Sequence, residues 1–477
     1  MSFTSFEFLL FFPLVVLFYN IIPSKGRVWY LLAVSYLFYA LMQPAYLVLL
    51  ATVTLLTYGV TRWMASTDNE DKKKRIEVFG IIVVLLPLFF FKYFNAVGNG
   101  VESLLSAIGL AVTVPEIKWL LPVGISFYTF MSIGYIVDSY NEEVDVEKNI
   151  GSVGLFLSFF PIILSGPIER TGNMFPQFKD MQRSRPSDLT AGARMMLWGY
   201  FMKLCVADRI GMYVTAVFSS IANHNGTTLA FASLLYPIQV YADLGGYSLI
   251  AIGAARCMGM KIIPNFNRPF FATSISEFWR RWHMSFIQWL TDYIYTPLTF
   301  VFRKQKMVGI VLALICTFII SGIWHGAGVT HIMWGLSQAL FLSIEAVTIK
   351  QRNAFEKKYN LLGNGVYIAV CCIIVYLLFS FSQIFGKCDT MGDVWVVMSK
   401  IFTVRGTLFV DLITLLYAGL MILVLAFKDL RDEFFPEKFL LFESKYIGVR
   451  FASYLFVLFL IISMGVLDAG QFIYFKF

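Results

Sequence analysis

Two histidines, His283 in ISEFWRRWHMSF (275–286) and His325 in SGIWHGAG (321–328), stand beside apolar runs of membrane length. An ionisable side chain is costly in such surroundings and marks function. The sequence holds four histidines in all, so half of them fall in these two segments. His325 lies among Ser321, Gly322, Gly326 and Gly328, small residues that let helices and a substrate approach closely. A neutral imidazole there can take the proton from a hydroxyl as that hydroxyl attacks an activated acyl group. A packed histidine hydrogen-bonded across helices would give the same local pattern. His331, six residues on, would point ~120° away on a regular helix and is expected not to share the chemistry. His224, in the short NHNGTT turn, reads as an ordinary exposed residue.

The stretch 256–305 is too polar to span a bilayer and too aromatic for a plain loop. On a helix, Trp282, Phe286, Trp289 and Tyr293 recur at spacings of four, three and four, which predicts an amphipathic helix at the membrane surface. Trp279 and His283 would share an adjoining face. Arg280 and Arg281 can bind phosphate groups, because guanidinium holds phosphate by paired hydrogen bonds. The same pair would also serve as a headgroup anchor, and His283 as an interfacial residue.

Composition settles what kind of chain must position these groups. With 58% apolar, 17% aromatic and 14% charged residues and a mean hydropathy of +0.71, this is a polytopic membrane protein, not a soluble domain. No long polar linker divides the 477 residues, so one integral domain is expected. The apolar stretch from Met1 to Pro23 lacks a basic n-region and a small-residue cleavage site, and reads as a retained helix. Cys205, Cys257, Cys316, Cys371, Cys372 and Cys388 fall mostly in hydrophobic stretches, without CxxC pairs or zinc-like histidine spacing. Buried packing is expected of them, and no metal site. The net charge of +8 comes from residues clustered in short loops between apolar runs, a positive-inside pattern and no nucleic-acid surface.

Runs near the ~20 residues that cross a bilayer occur at 6–23, 28–44, 46–65, 77–93, 118–138, 190–218, 228–252, 307–324, 329–348, 365–386, 409–427 and 450–467. That makes about a dozen candidate spans. Basic loops at Lys25 and Arg27, at Lys72 to Arg75, and at Arg268, Arg280, Arg281, Arg303 and Lys304 should face the cytoplasm. This orients both termini outward, provided that 150–167, broken by Pro161, Gly166 and Pro167, is re-entrant.

Four blocks in order, LPVGISFYTF (121–130), YADLGGYSLIAIG (241–253), NFNRPFFATSISEFWRRWHMSF (265–286) and SGIWHGAGVTHIMWG (321–335), resemble the membrane-bound O-acyltransferase (MBOAT) family over nearly the whole chain. The likeness is to the branch of alginate O-acetyltransferase and its peptidoglycan- and teichoic-acid-acylating relatives. It implies an all-α integral membrane protein with about 12 membrane-spanning helices, plus re-entrant and interfacial helices around a central tunnel. The fold would be a single domain over 1–477 in a bacterial cytoplasmic (inner) membrane. It further implies that His325 matches the essential histidine and His283 the second motif histidine. Arg280, Arg281, Trp279, Asn265, Asn267, Arg268 and Asp243 then become candidates for holding the donor, acetyl-CoA. Relatives often show an Asp-Phe pair where this chain has Ala242 and Asp243 before Leu244; Asp243 itself is kept.

The last residues, GQFIYFKF (470–477), resemble the family's F-x-Y-x-x-F acyl-acceptor tail, with Phe472, Tyr474 and Phe477 in place. A phenol of pKa ~10 leaves more readily than an alcohol, so an acyl-tyrosine at Tyr474 would stay reactive enough to pass its group on. An aromatic anchor at the membrane interface is the plainer reading of the tail. The onward acceptor would be an extracytoplasmic SGNH-type acyltransferase or similar envelope partner, for O-acetylation of an alginate-like or other envelope polysaccharide. An acyl-carrier protein in place of acetyl-CoA is one alternative. A transporter or polymer-export channel is another, since broken helices and buried histidines also mark carriers, although no inverted repeat is apparent.

Overall fold

Backbone in lipid must satisfy its polar groups within each segment or with protein around it, and this chain does so with helices. The computed structural model describes residues 1–164, 166–438 and 440–467, and every regular element among them is helical. Phe472, Tyr474 and Phe477 of the expected acceptor tail lie outside the described residues. Seven helical stretches are long and apolar enough to cross a membrane: Pro44–Met64, Glu70–Ala107, Met307–His325, Val329–Lys358, Gly365–Lys387, Leu412–Phe434 and Ile447–Met464. The protein is therefore a multi-pass membrane protein. The other five of the dozen apolar runs are helical too, but shorter, interrupted or less apolar.

The chain divides into two compact units, Met1–Ala193 with Ala251–Ile263, and Arg194–Ile250 with Pro264–Phe477. In the first, α1 (Phe6–Ile21), α2 (Ser24–Met42), α3 (Leu47–Met64), α4 (Glu70–Ala107) and α5 (Ile125–Tyr140) are followed by α6 (Ile150–Ser158), α7 (Phe160–Ile163) and α8 (Thr171–Lys179). Asn69 caps α4 by accepting from Lys72 N at 2.9 Å, with Glu70 and Asp71 at the positive end of the helix dipole. The rings of Phe3, Phe8, Phe38 and Phe160 pack together. The run 150–167 breaks at Phe159 into two buried helices. The longer would reach only ~14 Å, short of a ~30 Å hydrocarbon core, so it does not cross. Buried Glu169 ties the unit's last segment to α8, accepting from Ile263 N at 2.6 Å and Asn173 Nδ2 at 2.8 Å.

The second unit begins within α9 (Pro186–Tyr200) and continues through a π-helical stretch, Phe201–Ala207, into α10 (Asp208–Phe218) and most of α11 (Gly226–Cys257). α9 and α11 cross closely: a Cβ added at Gly199 would stand 2.6 Å from Gly246 O. Beside that crossing, buried Lys203 lies 2.6 Å from both Asp208 and Asp243. Then follow α12 (Ile275–Arg281), α13 (Met284–Leu290), α14 (Thr296–Val301), α15 (Met307–His325), α16 (Val329–Lys358), α17 (Gly365–Lys387), α18 (Met391–Thr403), α19 (Leu412–Phe434) and α20 (Ile447–Met464). All six cysteines are free thiols, three of them buried.

Candidate active site

The segment around His283 is not the continuous helix that its periodicity predicts. α12 starts at Ser274, whose Oγ accepts from Glu277 N at 3.1 Å. Glu345 of α16 receives Ile275 N at 2.8 Å and Ser276 N at 3.3 Å, a carboxylate at the helix's positive end. α12 then stops at Arg281, and Trp282 is extended. His283 sits at φ +46° as the cap of α13, a left-handed conformation costing of order 1–3 kcal/mol for a non-glycine residue. Trp279 and His283 therefore do not share a helical face. Trp282, Phe286 and Trp289 are buried in protein, not laid on a membrane surface.

Asn265 holds this break. Its carbonyl accepts from Met284 N at 2.8 Å. Its side-chain oxygen accepts from Ser285 Oγ at 2.9 Å and His283 Nδ1 at 3.1 Å, while its amide donates to Ser248 Oγ at 3.0 Å. That pattern puts the imidazole proton of His283 on Nδ1 and leaves the lone pair on Nε2. Burial pushes this imidazole from 6.5 down to about 3, so it stays neutral across the physiological range.

α15 ends at His325, where Gly326 is extended and Gly328 caps α16. The two helices pack through glycine: a Cβ at Gly335 would stand 2.1 Å from Phe318 O, and one at Gly322 2.4 Å from His331 O. A Cβ at Gly326 would strike the His331 ring at 2.7 Å. The turn brings His331 back to the same cavity as His325, correcting the expectation drawn from a regular helix.

His283, His325 and His331 line one cavity together with Trp279, Trp334 and Gln383. Ring edges enclose His325: Trp324 and Trp334 each lie 4.7 Å away at about 75°. Phe286 stands between the two motif histidines, 5.1 Å from His283 and 5.8 Å from His325 by ring centroids. The open volume is about 50 Å³, room for a few waters or a two-carbon acyl group, since ~10–15 Å³ on this scale admits one water. Two buried glutamines contrast here. Gln338 is committed to Trp279 Nε1 at 3.3 Å and Ser382 Oγ at 2.6 Å. Gln383, 8% exposed, reaches the cavity, and its side-chain amide makes no hydrogen bond among the described residues.

The family model for membrane-bound O-acyltransferases matches residues 36–384. The chain belongs to this family. A probable alginate O-acetylase of Pseudomonas aeruginosa is 35% identical over 350 residues, covering 72% of this chain and 66% of that protein. A peptidoglycan O-acetyltransferase of Helicobacter pylori is 31% identical over 353 residues, 68% of this chain and 64% of the relative. A teichoic acid D-alanyltransferase of Bacillus subtilis is 27% identical over 281 residues, 56% and 69% of the two chains. The chain thus spans about two thirds of the length of the relatives it matches.

In this O-acyltransferase-family chain the residues grouped from sequence do not form one cluster. Trp279 lines the cavity, and Asn265 fixes His283. Arg281 is held by both oxygens of Glu433, at 3.0 and 2.9 Å, and by Glu277 at 2.9 Å. Arg268, at φ +45°, meets the same Glu433 at 2.6 Å. Burial works to raise Glu277, but hydrogen bonds from Thr273 and Arg281 outweigh it and hold this carboxyl below its usual range. Arg280 and Asn267 are exposed, and Asn267 N bonds Arg281 O at 2.9 Å. Asp243 is paired with Lys203. His224 is half-buried against Phe409 at 4.8 Å, not an open turn residue. His331 was set aside on helical geometry, and Gln383 was missed. The glycines at 326 and 328 signalled the turn that carries His331; nothing local marked Gln383.

Proposed function

We propose that this protein moves an acetyl group from acetyl-CoA across the membrane to Tyr474, and from there to an extracytoplasmic polysaccharide through an SGNH-type or similar envelope partner. The carrying observation is the small cavity in which His325 and His283 meet. His325 accepts the phenolic proton as the Tyr474 oxygen attacks the thioester carbonyl. The carbon–sulfur bond breaks, and the proton passes to the departing thiolate. His283, neutral and bonded to Asn265, orients the reacting groups; a base at about 3 is poorly matched to proton abstraction at neutral pH. In this reading exposed Arg280 takes donor phosphates, whereas Arg281 must first leave Glu433.

Cavity chemistry favours acetyl over D-alanyl transfer. The lining holds no carboxylate among the described residues, and an alanyl ammonium enclosed there would lack a counter-charge. Intact-mass analysis of the full chain with labelled acetyl-CoA tests the reading. A single acetyl adduct on Tyr474, absent from His325→Ala and Tyr474→Phe, is the expected result. Polymer acetylation that survives Tyr474→Phe would remove the relay. A chain that takes label only from an acyl-carrier protein would overturn the donor, and one that carries substrate with no acyl transfer would be a transporter.

A further inference from the structure

A second cavity lies away from the histidines, among α10, α11 and α19. It is about 230 Å³, several times the volume of the histidine cavity, and its walls are Phe231, Leu235, Leu415, Ala418 and Ile422. Three polar residues, Arg209, Tyr213 and Thr414, line this largely apolar space. Arg209 and Tyr213, four residues apart on α10, share one helical face and both line it. The Arg209 guanidinium donates to Met464 O at 2.6 and 3.2 Å and lies 5.5 Å from the Tyr417 ring. No carboxylate pairs with it among the described residues, because neighbouring Asp208 is taken by Lys203. Tyr213 is 9% exposed, and its hydroxyl has no hydrogen-bond partner among the described residues. On α19, Leu416 and Leu420 are 60% and 44% exposed, as expected where a helix of a multi-pass protein meets lipid.

A cation with no counter-ion and a buried hydroxyl with no partner among the described residues are both costly beside hydrocarbon. One molecule answers both and fills the apolar walls. We propose that this cavity is a binding site for one anionic phospholipid of the surrounding bilayer. Its phosphate meets Arg209, a glycerol-ester or phosphate oxygen accepts from Tyr213, and an acyl chain occupies the space between α11 and α19. The site is separate from acyl transfer and does not depend on that reading.

Native mass spectrometry of the full chain, released from micelles carrying phosphatidylglycerol or phosphatidylcholine, tests it. Wild type is expected to retain one phosphatidylglycerol in preference to phosphatidylcholine by roughly fivefold, the effect of one cation near an anionic headgroup. Arg209→Gln should abolish that preference while still retaining a lipid, and Tyr213→Phe should weaken retention of both. Gly419 has open space where its Cβ would be, so Gly419→Leu should fill the cavity and empty it of lipid. Melting temperatures of the variants in detergent, close to wild type, show that they fold. Undiminished phosphatidylglycerol retention in both Arg209→Gln and Gly419→Leu would overturn the site. So would equal protection by inorganic phosphate alone, which would make it an anion site.

Discussion

His283 and His325 face one cavity but are held there by opposite means. His283 is 1% exposed, sits at φ +46° between two short helices, and has its Nδ1 engaged by Asn265. His325 ends a membrane-length helix, half-buried, with ring edges of Trp324, Trp334 and Phe286 around it. Hydrogen bonds and deep burial make the first imidazole a fixture that resists protonation. Walls of aromatic rings surround the second and limit the space beside it to about 50 Å³. The family resemblance already put His325 first and His283 second; the fold adds unequal surroundings.

The sharpest way to break this comparison is to remove each ring in turn. His325→Ala should lower acetyl transfer from labelled acetyl-CoA by about 10²–10⁴-fold, the usual worth of a general base, with little change in melting temperature. His283→Ala should cost less turnover and more stability. Equal losses of activity in the two would erase the distinction. Next in size is Asn265→Ala, which strips partners from His283, Ser285 and Ser248. It should destabilise the protein by about 1–3 kcal/mol, the cost of buried groups left unsatisfied, read by thermal unfolding in detergent.

Acid sharpens the same contrast. With the folded-state pKa of His283 depressed from 6.5 to about 3, the unfolded chain binds a proton that the folded chain does not. Its contribution to stability is complete above pH 6.5 and is lost as pH falls towards 3, by up to ~1.4 kcal/mol per pH unit. The difference in melting between wild type and His283→Gln, followed from pH 7 to pH 4, isolates this slope from that of the carboxylates; a flat difference would contradict it. The smallest effect expected is in the paired glutamines. Gln383→Leu should leave melting within ~0.5 kcal/mol of wild type, as it breaks no bond, yet slow transfer by up to about tenfold if its amide meets the substrate. Gln338→Leu should do the reverse, costing ~1 kcal/mol by orphaning the Trp279 indole N–H, while Ser382 keeps its bond to Phe379 O.

Hydropathy carried the membrane class and the helical content, because what a segment buries in lipid is written in its own residues. The family blocks singled out His283 and His325, and the small residues around His325 foretold the close helix contact at Gly322; the one at Gly335 was not foreseen. Periodicity failed at 282–283, where no glycine or proline announces the break and a left-handed histidine is imposed by Asn265, eighteen residues earlier. It failed again at His331, which regular-helix geometry turned away and the glycine turn brought back. Arg281 illustrates the general limit. As a bare RR pair it reads as a phosphate ligand, but Glu433, 152 residues on, holds it through both oxygens. Gln383 reaches the histidines only because α17 packs beside α16. A local pattern records which face of a segment is buried; partners so distant along the chain are chosen by packing, where each buried polar group must find whatever the neighbouring helices present.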